Sequence, residues 1–520
     1  MRGFDVLIIG AGSAGCVLAG RLSEDPAVSV CLVEAGVEAT DPDIADPQQW
    51  PFLAGRPYDW SYQTAPQPWT GGRVHDWPRG RILGGSSCLN AMAHVRGHPD
   101  DFDAWAAAAG PRWSYQSLLP AFRRSESFSE GASAVHGADG PLPVLLPSTQ
   151  IHPLVAAYIE AGVSIGAPRL AEHNGGPLAG VAPNQLTIRN GRRVSAADAY
   201  LTPHLARANL TLVAGGPVEA LAIERGRVAA ARVRRDGHEE LLHADVVVLA
   251  AGAIGSPLLL MRSGIGDPEE LKAAGVDCRL ALRGVGHNLH DHLLAAGLVF
   301  SARQSIAPSR LQHSESLMYL HGDRPSRADG APDTAIACVV LPVVTERFAR
   351  PEVGRAYTLM CGVTHPKSRG SVRLSGPDSA DPPIIDPAYL SDERDRHAFR
   401  DSLRLAREIG HAAPLDAWRE SEILPGPHVR SDAAVEAFLA DAAMTHHHPV
   451  GTCQMGAGDH SVVDGALRVH GLDNLYVVDA SVIPTITTGP VNAAVTAIAE
   501  QWRHACAPIP LREVGPSPVE

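Results

Sequence analysis

Phe4-Asp5-Val6-Leu7-Ile8-Ile9-Gly10-Ala11-Gly12-Ser13-Ala14-Gly15 is the stretch whose reading decides the fold. An apolar run, 6–9, meets three glycines in six residues. A helical stretch with apolar Val17, Leu18 and Leu22 follows, then a second apolar run, 28–33, that ends at Glu34. That order is strand, glycine turn, helix, strand. The glycines let backbone amides and a helix N-terminus approach a pyrophosphate with no side chain in the way. Glu34, at the end of the second strand, can accept both hydroxyls of a ribose and would repel a 2′-phosphate. The motif therefore favours a dinucleotide other than NADP, and by itself it does not separate FAD from NAD.

Outward from this unit, strand-like runs recur at 210–213, 228–233 and 244–250, the last entering Gly252-Ala253-Ile254-Gly255-Ser256-Pro257. A final run, 475–478, leads into Asp479-Ala480-Ser481. Nucleotide-type signals thus lie near the start, the middle and the end of the chain. The fold class expected is α/β (α+β): a discontinuous Rossmann-like cofactor domain from 1–145, 190–295 and 441–513, with a substrate domain of antiparallel sheet and helices inserted as 146–189 and 296–440. Residues 514–520 read as a tail.

The chain has 520 residues, 45% hydrophobic and 19% charged, which suits two or three globular domains. A net charge of −13 and no basic stripe argue against a nucleic-acid partner. Eight cysteines without CxxC spacing read as small core residues of a reducing compartment. The first residues lack a charged leader and a cleavage site, and the most apolar stretch, 246–261, is broken by glycines and Pro257. A cytoplasmic protein with no membrane span is expected.

Two further segments carry chemistry. Arg79-Gly80-Arg81-Ile82-Leu83-Gly84-Gly85-Ser86-Ser87-Cys88-Leu89-Asn90 is either a solvated loop or one lying along a flavin, its amides near the polar ring edge. Thr445-His446-His447-His448-Pro449 sets three histidines side by side, without the companion spacing of a metal site, so no metal is expected. If the segment is extended, His446 and His448 share a face and His447 points away into a structural role. An imidazole there can take a hydroxyl proton as a hydride leaves the carbon.

Together these residues resemble the glucose–methanol–choline oxidoreductase family, flavoenzymes that oxidise alcohols. The likeness runs nearly end to end: the Gly10 turn with Glu34, the signatures at 78–90 and 252–266, the run 284–292, His448-Pro449-Val450-Gly451-Thr452, and the segment 479–484. It implies FAD as cofactor. Gly10, Gly12, Ser13, Ala14, Gly15, Glu34 and Ala35 would hold its ADP half, and Val218 would meet adenine through its backbone. Arg81, Gly84, Gly85, Asn90 and Ala91 would line the flavin side. Asp479 and Ala480 would lie near the pyrophosphate and ribityl chain, and Ala251, Gly252, Pro490 and Val491 would also border the cofactor. His448 takes the catalytic histidine position.

Three departures from the commoner family pattern matter. Leu89 stands where some relatives attach FAD covalently through a histidine, so the flavin should be dissociable. Pro490 stands where an Asn or His usually contacts the substrate oxygen. His446 replaces an apolar residue of choline-oxidising relatives. The His446/His448/Pro490 combination resembles that of family members that oxidise the 4-hydroxymethyl group of vitamin B6, implying conversion of pyridoxine to its aldehyde. Either histidine could take the proton, with molecular oxygen or another acceptor receiving the electrons; oxidase is favoured over dehydrogenase. A choline-like, aryl- or aliphatic-alcohol dehydrogenase or oxidase is the alternative within the class, and an FAD-containing cyanohydrin lyase the alternative outside it.

Overall fold

The computed structural model describes residues 3–38, 40–147, 150–235, 237–323 and 325–507; the tail read at 514–520 lies outside them. Strand β1 (Gly3–Ile9), helix α1 (Ser13–Leu22) and strand β2 (Val30–Glu34) form the opening unit. Val6, Leu7, Ile8 and every residue of β2 are buried, as expected of central parallel strands covered on both faces. Strands β3 (Leu210–Ala214), β4 (Val218–Glu224), β5 (Arg227–Arg235), β6 (His238–Leu249) and β7 (Leu475–Val477) complete the sheet.

Its parallel part runs β3-β2-β1-β6-β7. The first half of β6 turns instead to antiparallel pairing with β5, which pairs with β4. The order reverses at β1, since β2 lies on one side of it and β6 on the other. A switch of this kind opens a crevice at the carboxyl ends of the strands. The glycine turn sits there. Helix α2 (Gly252–Arg262) leaves the end of β6, and α4 (Val491–Ala505) packs on α1, where Arg21 donates to buried Glu500 at 2.9 Å.

A second sheet is antiparallel throughout, in the order 419–424, 293–302, 356–363, 334–339, 316–320, 180–183, with 443–445 beside the start of 293–302. Helix α3 (Glu393–His411) covers the 356–363 strand with its apolar stripe of Phe399, Leu403, Ala406 and Ile409. The expected fold class is thus the observed one. Short strand 443–445 ends directly in the three histidines, so the second sheet delivers them beside the start of the 293–302 strand, where His446 N donates to His292 O at 2.9 Å. No helix among the described residues is long and apolar enough to cross a membrane.

Candidate active site

The cofactor cradle is made of backbone. Gly10 holds φ +104°, and a Cβ there would stand 2.6 Å from the Ala250 carbonyl oxygen; one on Gly15 would stand 1.8 Å from the Gly10 oxygen. A Cβ on Gly12 would meet nothing closer than 4.0 Å, so the turn is packed underneath and open above. Helix α1 starts at this opening with no capping side chain, leaving its first amides for an anion. Glu34 is buried and accepts from Ala11 N at 2.8 Å and Gly36 N at 2.9 Å. Burial pushes its carboxyl up while those amides pull it down. Both oxygens keep lone pairs for hydroxyl donors. The open glycine, the uncapped helix and the buried acid fit the ADP half of a dinucleotide.

Gly84 and Gly85 of the second glycine-rich segment lie against this turn. Gly84 N donates to Ala11 O at 2.8 Å, and Gly85 comes so close to Gly12 that a Cβ would lie 2.7 Å from the Gly12 Cα. Asn90 Oδ1 accepts from Arg193 Nη1 at 2.8 Å and from Met92 N at 3.0 Å, which fixes the way out of the loop. Arg81 lies over the Trp60 ring at 4.9 Å. Asp479 accepts from Gly252 N and Ser256 Oγ with one oxygen and from Ser481 with the other, so it anchors the start of α2. Asn492, in the first turn of α4, donates to Ser13 Oγ at 2.8 Å. Val218 is buried at the start of β4.

The histidine segment is not extended throughout. His447 takes φ +65°, its N–H donates to Thr445 Oγ1 at 2.8 Å, and its carbonyl accepts from Arg79 Nη2 at 2.8 Å. His448 N donates to Asp291 Oδ1 at 2.7 Å, and the same carboxylate receives the Thr445 and Tyr389 hydroxyls. The bend still brings the expected pair together: the His446 and His448 rings are 4.4 Å apart.

A third histidine joins them. His292 Nε2 lies 2.9 Å from Thr364 O, and its Nδ1 lies 2.9 Å from His448 Nδ1. A carbonyl only accepts, so His292 carries its proton on Nε2 and offers a lone pair at Nδ1. His448 must then donate from Nδ1 and keep the lone pair on Nε2, which has no protein partner among the described residues. Desolvation pushes His292 and His446 down to about 3, and pushes His448 well below its ordinary value, with His446 and His292 adding to the effect. All three are neutral at neutral pH. Their nitrogens lie within 4.8 Å of one another. A tetrahedral ion bound at about 2.0–2.1 Å would spread them to about 3.3 Å, whereas the 2.9 Å between His292 and His448 is a hydrogen-bond spacing.

His292 and His446 line a small pocket together with Leu294, Leu317, Tyr319, Ala335, Val363, Thr364, Thr488 and Pro490. Pro490 precedes α4 and presents only its ring. No carboxylate is among the described lining residues, and Asp101 lies behind Thr488, accepting from its Oγ1 at 3.1 Å. The run 284–292 contains His292, but no motif in the sequence marks that residue's role, and Tyr319 carries no signal beyond an apolar strand. The alternation His290-x-His292 was the available clue, because it puts two imidazoles on one face of a strand beginning.

Family models described as GMC oxidoreductase match residues 4–294 and 366–499. The chain is 49% identical over 504 residues to pyridoxine 4-oxidase of Microbacterium luteolum, covering 96% of this chain and 99% of that one. It is 37% identical to mitochondrial choline dehydrogenase of Homo sapiens, across 96% and 89% of the two chains. Among solved structures, pyridoxine 4-oxidase from Mesorbium loti superposes with a TM-score of 0.95 at 51% identity, covering 96% of this chain and 99% of that one. A formate oxidase superposes at 0.90 with 26% identity, across 97% and 98% of the two chains.

Proposed function

This chain belongs to the GMC oxidoreductase family, and from that premise we propose that it oxidises the 4-hydroxymethyl group of pyridoxine to the aldehyde, with His448 Nε2 as the base. FAD, when bound in the cradle, supplies the acceptor for the hydride that leaves the alcohol carbon. The observation that carries the assignment of the base is the hydrogen-bonded series Thr364 O, His292, His448. It holds one tautomer of His448 and leaves one lone pair for the substrate hydroxyl. When Nε2 takes that proton, the Nδ1–H bond to His292 becomes charge-assisted and strengthens. His446, with its ring against His448, offers the second contact to the alcohol oxygen that Pro490 cannot make.

The substrate follows from the two pyridoxine 4-oxidases, at 49% and 51% identity, set against choline dehydrogenase at 37%. The cavity supports the same choice. Apolar Leu294, Leu317, Ala335, Val363 and Pro490 share its lining with neutral polar side chains, and no carboxylate is among those lining residues to balance a trimethylammonium group. Leu89 leaves FAD without a histidyl link, so it binds non-covalently, and oxygen is the electron acceptor. The two sheets support a cofactor domain of 1–145, 190–295 and 441–513 and a substrate domain of 146–189 and 296–440, with strands 293–302 and 443–445 crossing between them.

A panel of pyridoxine, choline and benzyl alcohol, with peroxide formation followed alongside acid release of the yellow cofactor, tests this reading. Pyridoxine should have the highest kcat/KM, by at least tenfold, and the colour should pass into the supernatant. Choline as the better substrate would refute the proposed specificity. Failure of every alcohol to bleach the flavin without oxygen would favour lyase chemistry instead.

A further inference from the structure

The cavity beside the histidines has a floor with a definite register. Leu294 pairs with Gly362, Gly362 with Ala335, and Ala335 with Tyr319, so the four form one row across four strands. Three interstrand steps of about 4.8 Å separate the ends of the row by roughly 14 Å. A glycine and an alanine occupy its middle, and a leucine and a tyrosine stand at its ends. Leu317, two residues from Tyr319 on the same strand, also lines the space, as the pleat requires. Leu294 leans over the glycine, its Cδ2 2.7 Å from where a Cβ on Gly362 would stand, and the tyrosine brings the hydroxyl at the far end of the row.

That hydroxyl is an anomaly in its surroundings. Tyr319 is 1% exposed, and its oxygen has no hydrogen-bond partner among the described residues. The other hydroxyls of the lining are engaged: Thr364 Oγ1 donates to Pro332 O at 2.6 Å, and Thr488 Oγ1 to Asp101 Oδ1 at 3.1 Å. Both ring nitrogens of His292 are taken as well. Leaving a buried hydroxyl unpaired is destabilising, and a partner brought by the substrate would remove that cost. Burial, and after it the nearby Asp101 carboxylate, push the phenol above its ordinary value, so it keeps its proton and acts as a donor.

We infer that Tyr319 is a specificity-determining residue, whose hydroxyl donates to an acceptor on the aromatic ring of the alcohol, a pyridine nitrogen or a phenolic oxygen, while the hydroxymethyl group meets the histidines. This rests on the proposed oxidation of a pyridine alcohol and goes beyond it, since it says which protein atom reads the ring. A site built around a donor discriminates strongly against an analogue that lacks the acceptor, because the protein group is then left unpaired.

The test compares wild type with Tyr319→Phe on 4-(hydroxymethyl)pyridine, 2-hydroxybenzyl alcohol and benzyl alcohol, which offer a ring nitrogen, a phenolic oxygen and neither. Binding of pyridine-4-carbaldehyde and of benzaldehyde to the oxidised holoenzyme is titrated alongside. In the variant, the kcat/KM ratio of at least one acceptor-bearing alcohol to benzyl alcohol should fall about 10- to 100-fold. The affinity for the pyridine aldehyde should fall relative to benzaldehyde. Ratios within twofold of wild type, or parallel losses on all three alcohols, would overturn the assignment of Tyr319. Failure of wild type to oxidise pyridoxine is a separate result, and it would count against the proposed function instead.

Discussion

The glycine turn and the histidine pocket are two sites built on opposite principles. At the turn the working groups are backbone amides, held by packing so close that a single methyl on Gly15 would lie 1.8 Å from the Gly10 oxygen. In the pocket the working groups are side-chain nitrogens held neutral by desolvation and oriented by a short series of hydrogen bonds. Beneath the turn, at Gly10 and Gly15, the first site has no tolerance for added atoms. The second depends on which nitrogen of each imidazole carries the proton. Adjacent histidines make the same point at closer range. His290 has both nitrogens committed to backbone, Nδ1 to Asn288 O at 2.6 Å and Nε2 accepting from Ile486 N at 3.0 Å. His292 has one on backbone and gives the other to His448.

Gly15→Ala should break the comparison most severely. Overpacking against backbone leaves nothing flexible to yield, so the purified variant should hold less than a tenth of the wild-type FAD per chain, measured from the ratio of flavin to protein absorbance. Next in size is the contrast between the two histidines. His292→Gln should slow anaerobic flavin reduction about tenfold, the worth of one hydrogen bond of about 1.4 kcal/mol, with FAD retained. His290→Ala should instead show itself as a lower Tm, because it strips a buried backbone amide of its acceptor. Equal rate losses from the two would mean that His292 is only a packing residue.

The smallest effect is on acid stability. Desolvation holds His290, His292, His446 and His447 down to about 3, against an unfolded value of about 6.5. Between those values the unfolded chain binds more protons than the folded one, so their contribution to stability is complete above about pH 6.5 and is lost as the pH falls towards 3. Holoenzyme Tm should therefore decline steadily below pH 6.5. A Tm that is flat between pH 7 and 4.5 would show that these imidazoles are not desolvated.

The two sites were unequally legible for a physical reason. The turn is one local unit: β1, the glycines, α1 and Glu34 all fall within residues 3–34, and periodicity with spacing reveals it. The pocket is assembled from segments far apart, and His292 meets His448 across 156 residues. No spacing rule spans that distance. His446 and His448 were found together because they are near in sequence, although the chain between them bends at His447 and does not stay extended. That bend depends on Thr445 Oγ1 and Arg79, neither marked in the sequence as a partner of the segment. Tyr319 stands inside an apolar run, and only the fold shows that its hydroxyl has no partner among the described residues.

The most direct measurement is anaerobic reduction of the bound flavin by pyridoxine, followed by stopped-flow absorbance in wild type and in His448→Ala at equal FAD content. Rapid bleaching in wild type and a rate lower by about 10²- to 10⁴-fold in the variant, with the flavin spectrum of the oxidised protein preserved, is the expected outcome. Bleaching of the variant at near the wild-type rate would contradict the assignment of His448 as the base.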